Sequence, residues 1–222
     1  MDTDSELPLK LCLNLDRRTD RRSRASEMFR MHRLKVDRWS ALDGRKARHA
    51  RGWENLAQRA MCLSLASMVR RARKEKAKAV LIFEDDVILH EDFRERVAAL
   101  EVPDDWALLY FGCLHMSPPL RQSPGLVRLT KAYSTHAIAI RDQAYGAVLD
   151  ALRVQAVKGL RPQAQPADVL LASLHRVLPC YAAFPNLAWQ RDSASDIAGC
   201  DYNSYSPTGE QLFMSEVLGD FE

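Results

Sequence analysis

The sequence predicts an α/β fold in which a mostly parallel central sheet is flanked by helices. Three observations carry that expectation. Apolar stretches of strand length alternate with stretches of helical periodicity, strand, helix, strand, helix, strand, from Leu9 to Phe111. The run Ala79-Val80-Leu81-Ile82-Phe83 is apolar at every position, the pattern of a strand covered on both faces. Finally, 222 residues, 47% hydrophobic and 27% charged, make one domain with a sizeable core.

Taken in order, Leu9 to Leu15 reads as a short buried strand, and Arg22 to Arg33 carries Ala25, Met28, Phe29 and His32 at helical spacing. The turn signal Leu42-Asp43-Gly44 separates this unit from a long helix expected over roughly Asn55 to Lys76. The apolar strand 79–83 follows, ending in Glu84-Asp85-Asp86. A helix near Asp92 to Leu100 then leads to the strand Trp106 to Phe111.

Ser117-Pro118-Pro119 to Gly125 is rich in turn formers and reads as a loop or a small antiparallel excursion. Leu126 to Leu129 and His136 to Ile140 are expected to be strands, Ala144 to Ala156 a helix, and Gly159 to Pro166 a break. Asp168 opens a helix through His175, where an aspartate suits the N-terminus. Residues 1–200 are expected to form a single domain. The stretch with Pro179, Pro185 and Pro207 has weak periodicity and is expected to wrap the domain, with residues 201–222 as a C-terminal tail.

Lysine and arginine number 32 against 29 acidic residues, a net charge of +3 that by itself gives no reason to expect nucleic-acid binding. The basic residues do cluster, at Arg17 to Arg24, Arg45 to Arg51 and Arg70 to Lys78. Such runs read as solvated faces or as local phosphate-attracting surface. The five cysteines show no CxxC pair and no zinc-ligand spacing, so free thiols in a reducing compartment are expected. The first residues lack the basic and apolar regions of a signal peptide, and no apolar run reaches membrane-spanning length. A cytoplasmic location is expected, with any membrane contact peripheral.

Three acids at a strand end sit at the carboxyl edge of the sheet, where open α/β folds bind ligands. In an extended strand Glu84 and Asp86 point to one side and Asp85 to the other. Two neighbouring carboxylates are hard oxygen ligands suited to Mn²⁺ or Mg²⁺, with a nucleoside diphosphate supplying further oxygens. The alternative is that Asp85 or Asp86 caps the next segment. The run Asn14-Leu15-Asp16-Arg17-Arg18-Thr19-Asp20-Arg21-Arg22 also begins at a strand end, where arginines and a helix N-terminus can grip phosphate.

With these motifs in place, the chain resembles glycosyltransferase family 25, the lipopolysaccharide-type galactosyltransferases related to collagen galactosyltransferases. The resemblance rests on Asn14 to Arg22, on Ala41-Leu42-Asp43-Gly44 and on Leu81-Ile82-Phe83-Glu84-Asp85-Asp86-Val87. Weaker matches are Leu109 to Gly112, Thr135 to Ile140, and Gln190 to Ile197, all in the family's order. It implies a GT-A-like fold, a UDP-sugar donor, a glycan or lipid-linked saccharide acceptor, and inversion at the anomeric carbon. It further implies Asn14, Arg17, Arg21, Arg22, Asp43, Glu84 and Asp85 at the nucleotide sugar, and Glu84 and Asp86 on the metal. Asp168 is the candidate base, with a plain helix N-cap as its other reading, and His136 is a strand histidine that lines the site or is satisfied within the core. One departure stands out: the family's Gly-Cys-x-Leu-Ser-His element reads Ala60-Met61-Cys62-Leu63-Ser64-Leu65 here. Loss of that histidine leaves a second reading, a family member that binds sugar nucleotides or glycans without turnover.

Overall fold

The computed structural model describes residues 7, 9–46, 56–153, 165–191, 193–194 and 201–202. Outside them lie residues 47–51 of the second basic cluster, the end of the helix expected after Arg153, the Ser195-Asp196-Ile197 match, Cys200, and residues 203–222 of the expected tail.

The strands are β1 (Leu9–Asn14), β2 (Asp37–Ser40), β3 (Ala79–Glu84), β4 (Val87–Leu89), β5 (Leu108–Ser117), β6 (Leu120–Ser123), β7 (Leu126–Arg128), β8 (Lys131–Arg141), β9 (Cys180–Ala183) and β10 (Ala188–Gln190), with Ser193–Ala194 pairing Asp201–Tyr202 as β11 and β12. The helices are α1 (Thr19–Met31), α2 (Leu56–Lys74), α3 (Phe93–Ala99), α4 (Tyr145–Ala151) and α5 (Ala167–Ala172). Eight strands form one sheet in the order β2-β1-β3-β8-β5-β9-β7-β6. Six of the eight run in one direction; β8 and β7 are reversed. The predicted α/β architecture, a mostly parallel sheet between helices, is therefore present.

Side-chain alternation explains the three layers. In β3, Val80 and Ile82 point to one face and Ala79, Leu81 and Phe83 to the other. The first face packs on α2, α4 and α5 through Leu65, Met68, Val69, Val148 and Leu171. The second packs on α1 and α3 through Ala25, Phe29, Phe93 and Val97. Both faces of the strand are covered, so every position of 79–83 is apolar and buried. Each fully buried side chain of this size contributes about 1.5–3 kcal/mol.

Several expectations shift. The strand expected over His136 to Ile140 begins at Lys131. The turn-rich stretch after Ser117 is the antiparallel pair β6–β7. The region after Pro179 holds β9, which pairs with β5 inside the sheet, and β10, which pairs with β4. Among the described residues no helix is long and apolar enough to cross a membrane. Cys12, Cys62, Cys113 and Cys180 are buried free thiols, as the spacing predicts.

Candidate functional site

β1 and β3 run parallel with Leu13 opposite Glu84, so Asn14 and the acidic run emerge at the same sheet edge. The Ala41–Lys46 segment after β2 reaches this edge too, tied by the Ala41 amide donating to the Asn14 carbonyl at 3.0 Å. Together with part of β8, the start of α5 and residues 186–191, these segments line a cleft of about 470 Å³.

Arg21 explains the charge arrangement on one side. It falls on the same helical stripe as Ala25 and Phe29, the buried face of α1, and so is carried inward to the sheet edge. Its Nη1 donates to Asp85 Oδ1 at 3.1 Å and to Asp86 Oδ2 at 3.0 Å. Asn14 Nδ2 donates to Asp85 Oδ2 at 2.6 Å, and Arg38 Nε donates to Asn14 Oδ1 at 2.9 Å. The strict alternation expected of the three acids ends with the strand: β3 stops at Glu84, and Asp85 and Asp86 occupy the turn into β4, where both converge on Arg21.

Glu84 faces the other way along the cleft. Thr135 Oγ1 donates to its Oε1 at 2.6 Å and Gln190 Nε2 to its Oε2 at 3.4 Å. Burial, then the neighbouring Asp86 carboxylate, pushes the Glu84 pKa up to about 8, although the Thr135 hydrogen bond opposes the shift. Burial also raises the Asp86 pKa, against the pull of Arg21.

The Asp43 loop is held from two directions. Leu42 N–H donates to Ser64 Oγ at 2.9 Å, and Ser64 in turn donates to the Ala60 carbonyl at 2.7 Å. Gly44 packs so closely on the start of α2 that a Cβ there would lie 2.7 Å from the Leu56 carbonyl oxygen. Asp43 accepts from Arg17 Nε at 3.1 Å and from Arg45 N at 3.0 Å.

Across the cleft, β8 is bulged against β5 around Gly112, and Ser134 sits at φ 88°, a left-handed conformation that costs a non-glycine residue about 1–3 kcal/mol. Asp168 Oδ2 accepts from Ser134 N–H at 3.1 Å and its Oδ1 from Val169 N–H at 2.8 Å. His136 joins Ser134 Oγ through Nδ1 and the Ala188 carbonyl through Nε2, the latter at 3.0 Å. Burial pushes the His136 pKa down to about 4, so the ring is neutral.

The expected residues divide clearly. Arg17, Arg21, Asp43, Glu84, Asp85, Asp86 and Asp168 all line the cleft. Asn14 is buried behind it and holds Asp85. Arg22 is exposed and does not line the cleft, because it is one residue, about 100°, round the helix from Arg21. Asp168 is not the N-cap of α5, a place taken by Pro166; it lies in the first turn. Leu65 is 2% exposed in the core between α2 and the sheet, so the departure falls at a core-facing position outside the described cleft lining. Thr135, Gln190 and Gly112 are the partners that motif spacing did not single out for roles.

Among the described residues no group of three or more His, Cys, Asp or Glu side chains is arranged to hold a metal ion. The chemistry of the acidic run nevertheless fits a divalent cation completed by ligand oxygens: Asp86 Oδ1 is buried with no hydrogen-bond partner, and Glu84 and Asp86 both resist ionising side by side.

No family model matches the sequence, and no curated protein matches it. Among solved structures the chain is similar to a glycosyltransferase involved in the glycosylation of the major capsid of PBCV-1, with 10% identity, a TM-score of 0.42, and coverage of 76% of this chain and 74% of that one. It is similar to A197 from STIV at 11% identity and a TM-score of 0.47, covering 83% and 86%. It is also similar to mannose-1-phosphate geranyltransferase from Thermus thermophilus at 13% identity and a TM-score of 0.39, covering 78% and 58%.

Proposed function

We propose that the chain is a GT-A-like glycosyltransferase of the family 25 kind, transferring a sugar, galactose first, from UDP to a glycan or lipopolysaccharide-type acceptor with inversion. The observation that carries this reading is the meeting, in one cleft, of the strand-end acids, the Arg17–Asp43 loop pair and Asp168.

The charge balance supports a cation requirement. The described lining holds five carboxylates (Asp43, Glu84, Asp85, Asp86, Asp168) and four guanidinium groups (Arg17, Arg21, Arg45, Arg191), and Arg21 is already shared by two of the carboxylates. Glu84 and Asp86 resist ionising in this lining, so binding a pyrophosphate beside both of them as carboxylates calls for further positive charge. Glu84 and Asp86 would hold Mn²⁺ or Mg²⁺, which as a Lewis acid would neutralise the charge of the departing UDP. Arg17 and the Asp43 loop would receive the nucleotide. Asp168 would take the proton from the acceptor hydroxyl as that oxygen attacks the anomeric carbon from the face opposite UDP.

The test is incubation with a panel of UDP-sugars and Mn²⁺. Release of UDP from one donor, lost in Asp168→Asn and Asp86→Ala, is the expected result. Intact donors across the whole panel, with and without acceptors, would overturn the reading.

A further inference from the structure

Ser134, His136 and Ala188 form a hydrogen-bonded chain whose direction follows from the carbonyl partner and the burial of the ring. The Ala188 carbonyl can only accept, so His136 Nε2, 3.0 Å away, carries a proton. The ring is enclosed, and burial disfavours a second proton on it, so its Nδ1 is bare and accepts. Ser134 Oγ is therefore the donor in its bond to Nδ1. Having given its only proton to the ring, the Ser134 oxygen keeps nothing but lone pairs for the cleft that it lines. Its own amide N–H donates to Asp168 Oδ2 at 3.1 Å, which sets the two side chains next to each other on the cleft wall.

The fold maintains this arrangement at a cost. Ser134 is held at φ 88° in a strand. A methyl group at Gly112 would overlap both the Ala188 carbonyl oxygen and His136 Nε2, so only glycine leaves room for their bond. Asn186 clamps the segment before Ala188 to β5, accepting from Cys113 N at 3.1 Å and donating to its carbonyl at 3.0 Å.

We propose that His136 is a positioning residue: donating from Nε2 to the Ala188 carbonyl and accepting at Nδ1, it fixes Ser134, so that Ser134 and Asp168 form an acceptor-only subsite that takes sugar hydroxyls and turns away phosphate oxygens. The cleft then has two chemically distinct ends, guanidinium groups for the nucleotide and hydrogen-bond acceptors for a saccharide. The inference rests on the glycosyltransferase reading for the identity of the hydroxyl, but the tautomer itself does not.

Two measurements test it. Long-range ¹H–¹⁵N spectra of the histidines at pH 7 should show His136 as the Nε2–H tautomer; an Nδ1–H tautomer or an imidazolium overturns the inference whether or not the protein transfers sugar. Ser134→Gly relieves the left-handed strain while removing a hydrogen bond to the buried ring, two effects of similar size and opposite sign, so it should unfold close to the wild type. It should bind UDP within about twofold of it, yet turn over UDP-galactose or whichever UDP-sugar the panel identifies about three- to tenfold more slowly, the range set by one hydrogen bond. Turnover equal to wild type in Ser134→Gly overturns the subsite. Should no UDP-sugar be turned over and UDP fail to bind, the glycosyltransferase reading fails with the hydroxyl assignment, and the tautomer measurement decides the positioning role of His136.

Discussion

The two sides of the cleft are built on opposite principles. Around α1 and the end of β3, charge meets charge: one guanidinium bridges two carboxylates, Asn14 braces one of them, and a buried carboxylate oxygen has no partner. Around β8, the links are neutral and directional, from Asp168 through Ser134 and His136 to the Ala188 backbone. Asp168 is the one carboxyl in that chain of links. The first side is held by opposed charges, would receive the ionic ligand on the proposed reading, and is vulnerable to loss of a counter-charge. The second is tuned to geometry and is vulnerable to crowding or protonation.

The largest effect is expected from Arg21→Ala, which strands Asp85 and Asp86 beside each other. Leaving such a buried pair uncompensated costs about 3–5 kcal/mol, readable as a lower urea midpoint. A loss below about 1 kcal/mol would place this site with ordinary surface pairs and dissolve the contrast.

Next in size is the response of the neutral side to acid. His115, His136 and His175 are buried with pKa values pushed from 6.5 down to about 4 by burial. Their folded forms are neutral, so their contribution is fully present above pH 6.5 and is lost as pH falls towards 4. These histidines lower the unfolding free energy between pH 7 and pH 4, against the opposite contribution of the raised Glu84 and Asp86, and His136→Gln should shift the measured slope towards greater stability at pH 4 relative to the wild type. An unchanged slope in that variant would remove His136 from the account.

Gly112→Ala should cost about 1–3 kcal/mol by overpacking, read as a lower thermal midpoint, with turnover falling further than stability explains. If it were as stable and active as the wild type, the close approach at Ala188 would not be a constraint. The smallest effect is expected from Ser64→Ala, which frees the Leu42 amide and loosens the Asp43 loop. UDP affinity should drop about threefold, the scale of one hydrogen bond, with little change in stability.

Much of the ionic side was legible in the sequence because its groups lie next to strand and helix signals of strong periodicity. The apolar run 79–83 marks the strand, and the acids mark its end. The same stripe that predicts Ala25 and Phe29 as buried also places Arg21 inward, and applying it would have separated Arg21 from Arg22. What was not legible is whatever depends on the chain closing over distance. β4, β9 and β10 are only three or four residues long, too short for periodicity to declare them. His136 and Ala188 are 52 residues apart and meet only because Gly112 leaves the space. The inward turn of Leu65 is likewise a matter of helix packing: the adjacent Ser64 supports the Asp43 loop and lines the cleft, while Leu65 enters the core.

The central claim, that the strand-end acids bind a nucleotide through a divalent cation, is tested most directly by titrating UDP into the wild type and Asp86→Ala, each with and without Mn²⁺. Mn²⁺ should strengthen UDP binding to the wild type by tenfold or more, about 1.4 kcal/mol, and leave Asp86→Ala unaffected. Equal affinity with and without the metal in the wild type would contradict it.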